Sequence, residues 1–259
     1  MATRSDIKYE KSVSILRNRV SVSKTYFNVL PKELRTLSFY VTGLEKLRQV
    51  ESVRLSLENA LKKGMTFKEW QTSFDAETWG NLTKARQQLV FRTNLISAYN
   101  GGTRLAGIEN KDVTPYFLYS AINDSRTRPA HLELDGVVRP VDDDYWDTRT
   151  PSLGYNCRCS IIPIDKETAS EQRAAQNKSG FITSKQELTS IEKKGGKPDK
   201  GFDTPSKPGN FTKGVVKNTN KAIDSLPNTS PYKKRFKDQI QNVDRKVAIW
   251  FKKVEDIFK

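Results

Sequence analysis

The hydrophobic period of this chain changes once, near residue 107, and that change limits the folds open to it. Upstream, apolar residues recur at helical spacing. Leu44, Leu47, Val50, Leu57 and Leu61 step by three, four and seven until Gly64 stops the run. Thr66, followed three residues on by Glu69 and then by Trp70 and Phe74, reads as a capping box opening a second, short helix. Leu82, Ala85, Leu89, Thr93, Ile96 and Asn100 form a further stripe, closed by Gly101-Gly102. Downstream the signal turns to short β-branched and aromatic runs: Phe117–Ile122, Val137–Val141 and Cys157–Ile164. Between them Thr127 caps a short helix with Pro129 in its first turn and Asp135-Gly136 at its end, and residues 142–156 read as a loop. Helices followed by a small sheet predict an α+β unit over residues 31–165, a helical N-terminal layer succeeded by a small β-sheet.

The flanks read differently. Residues 1–30 carry a period-two alternation at Val13, Ile15, Val20 and Val22, which predicts an N-terminal arm or hairpin. Residues 166–178 are helix-forming but polar all round, and residues 195–210 hold seven Gly or Pro in 16 positions. Residues 166–228 are therefore expected to be a linker arm. Ser230 and Pro231 form an N-cap and first-turn pair, opening a basic amphipathic helix over 229–259. Its seam is Phe236, Ile240, Val243, Val247, Trp250, Val254 and Ile257, at heptad spacing. Lys233, Lys234, Arg235, Lys237, Arg245, Lys246, Lys252 and Lys253 occupy its other faces. Such a seam serves either to dock a partner or to pack on its own domain, and a cationic helix bearing Trp and Phe also suits a membrane surface. The longest apolar run, Val247 to Phe251, is far too short to cross a bilayer. No secretory signal is visible at the N-terminus.

Charge follows the same division. The net +15 splits into +4 over residues 1–30, +4 over 31–120, −3 over 121–165 and +10 over 166–259. A polyanion such as packaged DNA suits the tail, where binding would be independent of base sequence and would weaken with salt. The acidic stretch, by contrast, holds His131, Cys157 and Cys159, which are the only histidine and the only two cysteines of the chain. One imidazole excludes chemistry that needs two, such as the HExxH zinc proteases. Two cysteines one residue apart make no disulfide framework and fit synthesis in a reducing compartment.

On a helix His131 and Asp135 share a face, and on a strand Cys157 and Cys159 do. Two thiolates, an imidazole and a carboxylate (Asp135, with Asp124 the other candidate) suffice for one tetrahedral structural Zn2+. The competing reading is two buried free thiols beside a hydrogen-bonded core imidazole, with no cofactor. Asp124, Arg126 and Arg128 read as a charged brace of the strand-to-helix turn rather than as catalytic groups. Asp142, Asp143 and Asp144 read as a solvated acidic turn.

Taken in order, these residues resemble a known family. The run Asp124-Ser125-Arg126-Thr127-Arg128, His131, Leu134-Asp135-Gly136, followed by Asn156-Cys157-Arg158-Cys159 ahead of a strand, is similar to the signature of the phage head morphogenesis domain, the phage Mu F-like family of minor head proteins. Phe91-Arg92-Thr93-Asn94 with Ala98-Tyr99-Asn100 resembles that family's helical element, and Gly201-Phe202-Asp203 onward resembles a later segment more loosely. The resemblance covers residues 31–165 well and 195–210 weakly, and it marks Arg92, Asn94 and Asn156 as motif residues. It implies a structural virion protein made in the host cytoplasm and held inside the phage head near the portal. Its implied partners are the portal or major capsid protein, other copies of itself and packaged double-stranded DNA, in head assembly, genome packaging or ejection. No enzymatic reaction is implied. The alternative from a different class is a metal-dependent hydrolase or nuclease centred on Asp124, His131, Asp135, Cys157 and Cys159.

Overall fold

The computed structural model describes residues 4–35, 37–74, 76–203 and 213–239. Its architecture is α+β, with helices gathered in the N-terminal half and a three-stranded antiparallel sheet behind them. The chain opens with α1 (Arg4–Arg17), β1 (Val20–Ser21), α2 (Lys24–Val29), α3 (Lys32–Arg35) and β2 (Ser38–Phe39). The expected arm or hairpin over 1–30 is corrected here. Ser12, Val13, Ile15 and Leu16 are buried along one side of α1, a helical stripe that packs on the helices downstream. Two β-branched residues at even spacing imitated a strand, and burial against helices overrode that local preference. Among the described residues of this segment Val20–Ser21 forms the one strand, and it pairs in parallel with Ser38–Phe39.

Next come α4 (Leu47–Lys63), α5 (Phe67–Thr72), α6 (Ala76–Trp79) and α7 (Lys84–Glu109). Gly64 ends α4 in the left-handed conformation at φ 64°, where a Cβ would be strained. Thr66 and Glu69 form the expected capping box: the Thr66 hydroxyl accepts from the Glu69 N–H, and the Glu69 carboxylate accepts from the Thr66 N–H. Val50, Val53, Leu57, Trp70, Trp79, Phe91 and Ala98 close a core around these helices. The expected stop at Gly101-Gly102 is overturned, because α7 runs on to Glu109. Gly102 lies where α1 crosses; a Cβ there would meet the Ser12 backbone nitrogen at 2.6 Å. Gly107 likewise makes room for the Phe117 ring. These glycines permit close approach rather than terminating the helix.

The sheet consists of β3 (Tyr116–Ser120), β4 (Val138–Pro140) and β5 (Ser160–Ile164), in the order β4-β3-β5. Leu118 pairs with Val138 on one side and with Ile162 on the other. Between β3 and β4 lies α8 (Pro129–Leu132), and between β4 and β5 lies α9 (Tyr145–Arg149). Pro129 occupies the first helical position as expected, but Arg128 rather than Thr127 is the N-cap; the Thr127 hydroxyl donates to the Ile122 carbonyl instead. The loop expected over 142–156 contains α9, which buries Tyr145 and Trp146. The third strand begins at Ser160, so both cysteines precede it.

The linker expected over 166–228 also departs from expectation. After β5, α10 (Lys166–Ala175) and α11 (Lys185–Lys193) form, joined by Arg173 Nη2 donating to both Glu187 carboxylate oxygens at 2.8 Å. Leu188 and Ile191 pack against the sheet core, and Thr183 accepts and donates against the Val138 backbone. Finally α12 (Lys213–Asp224) and the helical turn from residue 233 bring Ala222, Ile223, Leu226, Tyr232 and Phe236 onto Val20, Leu30, Leu34 and Leu37. No described helix is long and apolar enough to cross a membrane.

Candidate functional site

The motif residues converge at the entry to β5, held by two elements far apart in sequence. From α7, Asn100 reaches across: its Nδ2 donates to the Cys159 carbonyl at 3.1 Å and its Oδ1 accepts from the Ile161 N–H at 2.9 Å. One helical side chain thereby satisfies two strand backbone groups, which would otherwise be buried and unpaired. Two turns earlier, Thr93 Oγ1 accepts from the Asn156 N–H. Asn156 itself has φ 56°, the left-handed region that asparagine tolerates, and it turns the chain into the Cys157-Arg158-Cys159 segment. Asn94 bonds instead to Val90 and accepts from Arg19, bracing α1 against α7. Arg92 is exposed on the outer side of α7.

The charged brace forms, with a partner the residue pattern did not supply. Arg158 grips Asp124 through both guanidinium ends, and Arg126 approaches the same carboxylate at 3.3 Å. Hydrogen bonding from Arg158 holds the Asp124 carboxyl well below the usual carboxylate range, and Asp124 in turn raises the Arg158 guanidinium. Such a fork is planar and directional, and it ties the turn after β3 to the approach of β5. Arg128 goes elsewhere, donating to the Tyr155 carbonyl at 2.8 Å and pairing with Asp199 at 3.2 Å.

At the centre, His131 on α8 faces both cysteines. Nδ1 lies 3.7 Å from Cys157 Sγ and 3.9 Å from Cys159 Sγ, and all three side chains are buried, none more than 3% exposed. The thiols share their environment unequally. A hydrogen bond from Cys159, and another from His131, lower the Cys157 thiol, while the hydrogen bond to Cys157, burial and the Cys157 charge push Cys159 up. Tyr119 of β3 stands beside them, its buried hydroxyl next to the Cys159 thiol. Burial, reinforced by the cysteine charges, raises that phenol well above its ordinary range.

Asp135 does not join this cluster. The short α8 ends before it, so the helical face it was to share with His131 does not exist, and its carboxylate accepts from the Ala121 N–H. Asp124, the other carboxylate candidate, is committed to Arg158 and Arg126. The carboxylate that does approach is Asp199, whose Oδ1 lies 3.7 Å from His131 Nε2. Its backbone N–H donates to the Leu153 carbonyl at 2.8 Å, and Phe202 stacks edge-on to Tyr155. The described part of the Gly/Pro-rich segment thus lies against the motif rather than leading away from it. Its loose likeness to the family's later segment was the one signal that it belonged here.

The tail residues are placed unevenly. Phe236, expected on a docking seam, is fully buried in the chain's own core. Lys233 Nζ donates to the carbonyls of Asp224 and Leu226 and to Asn228, and Lys237 pairs with Asp224. Those two lysines close the end of α12 rather than standing free for DNA. Lys234 and Arg235 are exposed. Ile240, Val243, Val247, Trp250, Val254, Ile257, Arg245, Lys246, Lys252 and Lys253 lie outside the described residues.

Comparison with known proteins falls on the same segment. Over 145 residues the chain is 29% identical to the "Mu-like prophage FluMu F protein" of Haemophilus influenzae, covering 50% of this chain and 35% of that protein. It is 27% identical over 144 residues to the "Putative capsid assembly protein F" of Escherichia phage Mu, covering 48% and 33%. The chain thus spans about a third of the length of these curated relatives. No solved structure gives a significant match. Residues 51–162, which contain α7, the Asp124 brace, His131 and both cysteines, match the family model described as Phage Mu protein F like protein, and that segment is similar to the phage Mu F-like family.

Proposed function

We propose that this chain is a structural head protein of a tailed bacteriophage, acting in capsid assembly from the interior of the head beside the portal. The observation that carries the reading is the fate of the family motif. Its polar residues are spent on joining backbone segments to one another: Asn100 on β5, Thr93 on Asn156, Asp124 on Arg158. A motif consumed in bracing specifies a rigid shape, which is what an assembly component presents to its neighbours. The relative named for capsid assembly supports the same role.

The hydrolase or nuclease alternative draws less support. His131, Cys157 and Cys159 are enclosed, so a phosphodiester would have to displace packed side chains to reach them. Contact with packaged DNA is assigned to exposed basic residues such as Lys234 and Arg235 and would be non-specific.

Purified particles test the proposal. The chain is expected in gradient-purified heads and expected to cross-link to the portal protein. A version ending at Gln239, which keeps Tyr232 and Phe236 in their core, is expected to fold but to be missing from heads. Absence of the intact chain from particles would overturn the assembly role. Packaging of the shortened chain at normal copy number would overturn docking through residues 240–259. Turnover of DNA by the pure protein, abolished by His131→Ala, would establish the nuclease instead.

A further inference from the structure

We propose that Cys157 Sγ, Cys159 Sγ and His131 Nδ1 bind one zinc ion, with a water on the fourth corner and Asp199 orienting the imidazole from behind. The three ligand atoms all lie within 4.8 Å of one another. Tetrahedral zinc, with bonds of about 2.3 Å to sulfur and about 2.0 Å to nitrogen, sets ligand sulfur and nitrogen about 3.5 Å apart. The separations of 3.7 and 3.9 Å already stand within a few tenths of an ångström of that spacing.

Hydrogen bonding alone accounts poorly for this convergence. Both sulfurs are directed at the same ring nitrogen, and that nitrogen has one site: a lone pair that accepts once, or a proton that is donated once. A cation at the centre of the triangle satisfies all three atoms together. It also balances charge, since two thiolates and one divalent ion sum to zero in a site where an unpaired charge would be costly.

An orphaned polar atom points the same way. His131 Nε2 is buried without a hydrogen-bond partner, yet Asp199 Oδ1 faces it at 3.7 Å. Metal on Nδ1 fixes the proton on Nε2, where the carboxylate would receive it, the arrangement by which zinc-bound histidines are held. The Tyr119 hydroxyl, buried beside Cys159, is placed to donate to its thiolate. Space for Asp199 comes from Gly154, where a Cβ would fall 2.1 Å from Asp199 Oδ2. Zinc here would join α8 to the segment leading into β5, the two halves of the family motif.

The test uses the full chain, purified in reducing buffer without chelator. Metal analysis is expected to give about one zinc per chain. Cobalt added to metal-stripped, refolded protein is expected to give the near-ultraviolet thiolate charge-transfer absorption of a two-sulfur site. Cys157→Ser and Cys159→Ser are expected to lose the zinc and to weaken that absorption. Asp199→Asn and Gly154→Ala leave the ligands in place and are expected to weaken zinc affinity about 10- to 100-fold in competition with a chelating dye. Folded wild-type protein that contains no zinc and shows no charge-transfer band would overturn the site, as would zinc retained in both cysteine variants. Should the serine variants fail to fold, the wild-type metal content and the cobalt spectrum decide the matter.

Discussion

Gly102→Ala offers a test in which two well-understood effects oppose each other in sign. Inside a helix, replacing glycine by alanine ordinarily stabilises by about 1 kcal/mol, because glycine loses more backbone freedom on folding. At position 102 the added Cβ would sit 2.1 Å from Ser12 Oγ, 2.6 Å from Ser12 N and 2.8 Å from Ser12 Cα. Comfortable separation between carbon atoms is about 3.5–4.0 Å, so α1 must withdraw by about 1 Å. That helix holds Val13, Ile15 and Leu16 in the core, each 8% exposed or less. Burying such side chains contributes about 2 kcal/mol apiece, and a gap of 0.5–1 Å forfeits about a quarter to a half of close-contact attraction. The loss is then about 1.5–3 kcal/mol, and after the propensity gain the variant should be destabilised by about 0.5–2 kcal/mol. Urea unfolding followed by the fluorescence of Trp70 and Trp79, both in this core, reads the difference directly. Ser12→Ala in the same background should recover little, since the backbone atoms of residue 12 remain in the way. A Gly102→Ala protein more stable than wild type would mean that α1 does not cross α7 at this point, and the helical layer as described would be wrong.

Three further outcomes follow from other contacts. Asn100→Leu leaves the Cys159 carbonyl and the Ile161 N–H buried without partners and should cost about 3 kcal/mol, with loss of hydrogen-exchange protection at Ile161 as the local readout. Burial raises the Glu187 carboxyl, but Arg173 and the Ser184 N–H and hydroxyl outweigh it and bring it to about 2. A depressed carboxylate contributes stability that is full above its unfolded value, about 4.3, and is lost as pH falls through that value toward 2. With Glu187 partly open to water the contribution is about 1 kcal/mol, so Glu187→Gln should flatten the acid limb of a stability profile between about pH 5 and 2. Arg104, 1% exposed, donates to Asp147 and the Trp146 carbonyl at 2.6 Å each. Removing the carboxylate by Asp147→Ala strands a buried guanidinium and should cost more, about 3 kcal/mol, than Arg104→Met, which keeps the volume and removes the charge. Equal midpoints for the two variants would contradict a charge-dependent role for that pair.

Legibility in the sequence depended on how local each determinant is. The Thr66 and Glu69 capping box is complete within four residues, and it appears in the structure as read. Gly101-Gly102 was misread because glycine permits two things, a helix stop and a close crossing, and only the position of α1 separates them. The helix α9 has five residues, too few to display a period. His131, Cys157 and Cys159 were conspicuous because each residue type is rare in this chain. Asp199 was not, since a single aspartate in a Gly/Pro-rich stretch carries no pattern, and its place beside His131 exists only once the chain has folded back. Asp135 failed for a related reason: four residues define a shared helical face only where the helix lasts that long.

The charge reading changes most when contacts are considered. The segment with net charge −3 offered Asp135 and Asp124 as carboxylate ligands, yet its acidic groups are largely engaged within the protein. Asp124 is held by Arg158, Asp143 by Arg139, Asp147 by Arg104, and Asp135 by a backbone N–H. Three of those four partners are arginines, whose forked geometry fixes direction as well as charge. Carboxylates committed in this way stiffen the motif and leave little for a substrate or a hydrated metal. The cysteines and the imidazole differ in kind: they converge without a fixed partner for each atom, in a place where thiolates would need a soft cation to be tolerated. Ion pairs thus account for the rigidity of the segment, and His131, Cys157 and Cys159 are the one group of potential ligand atoms that they leave together among the described residues.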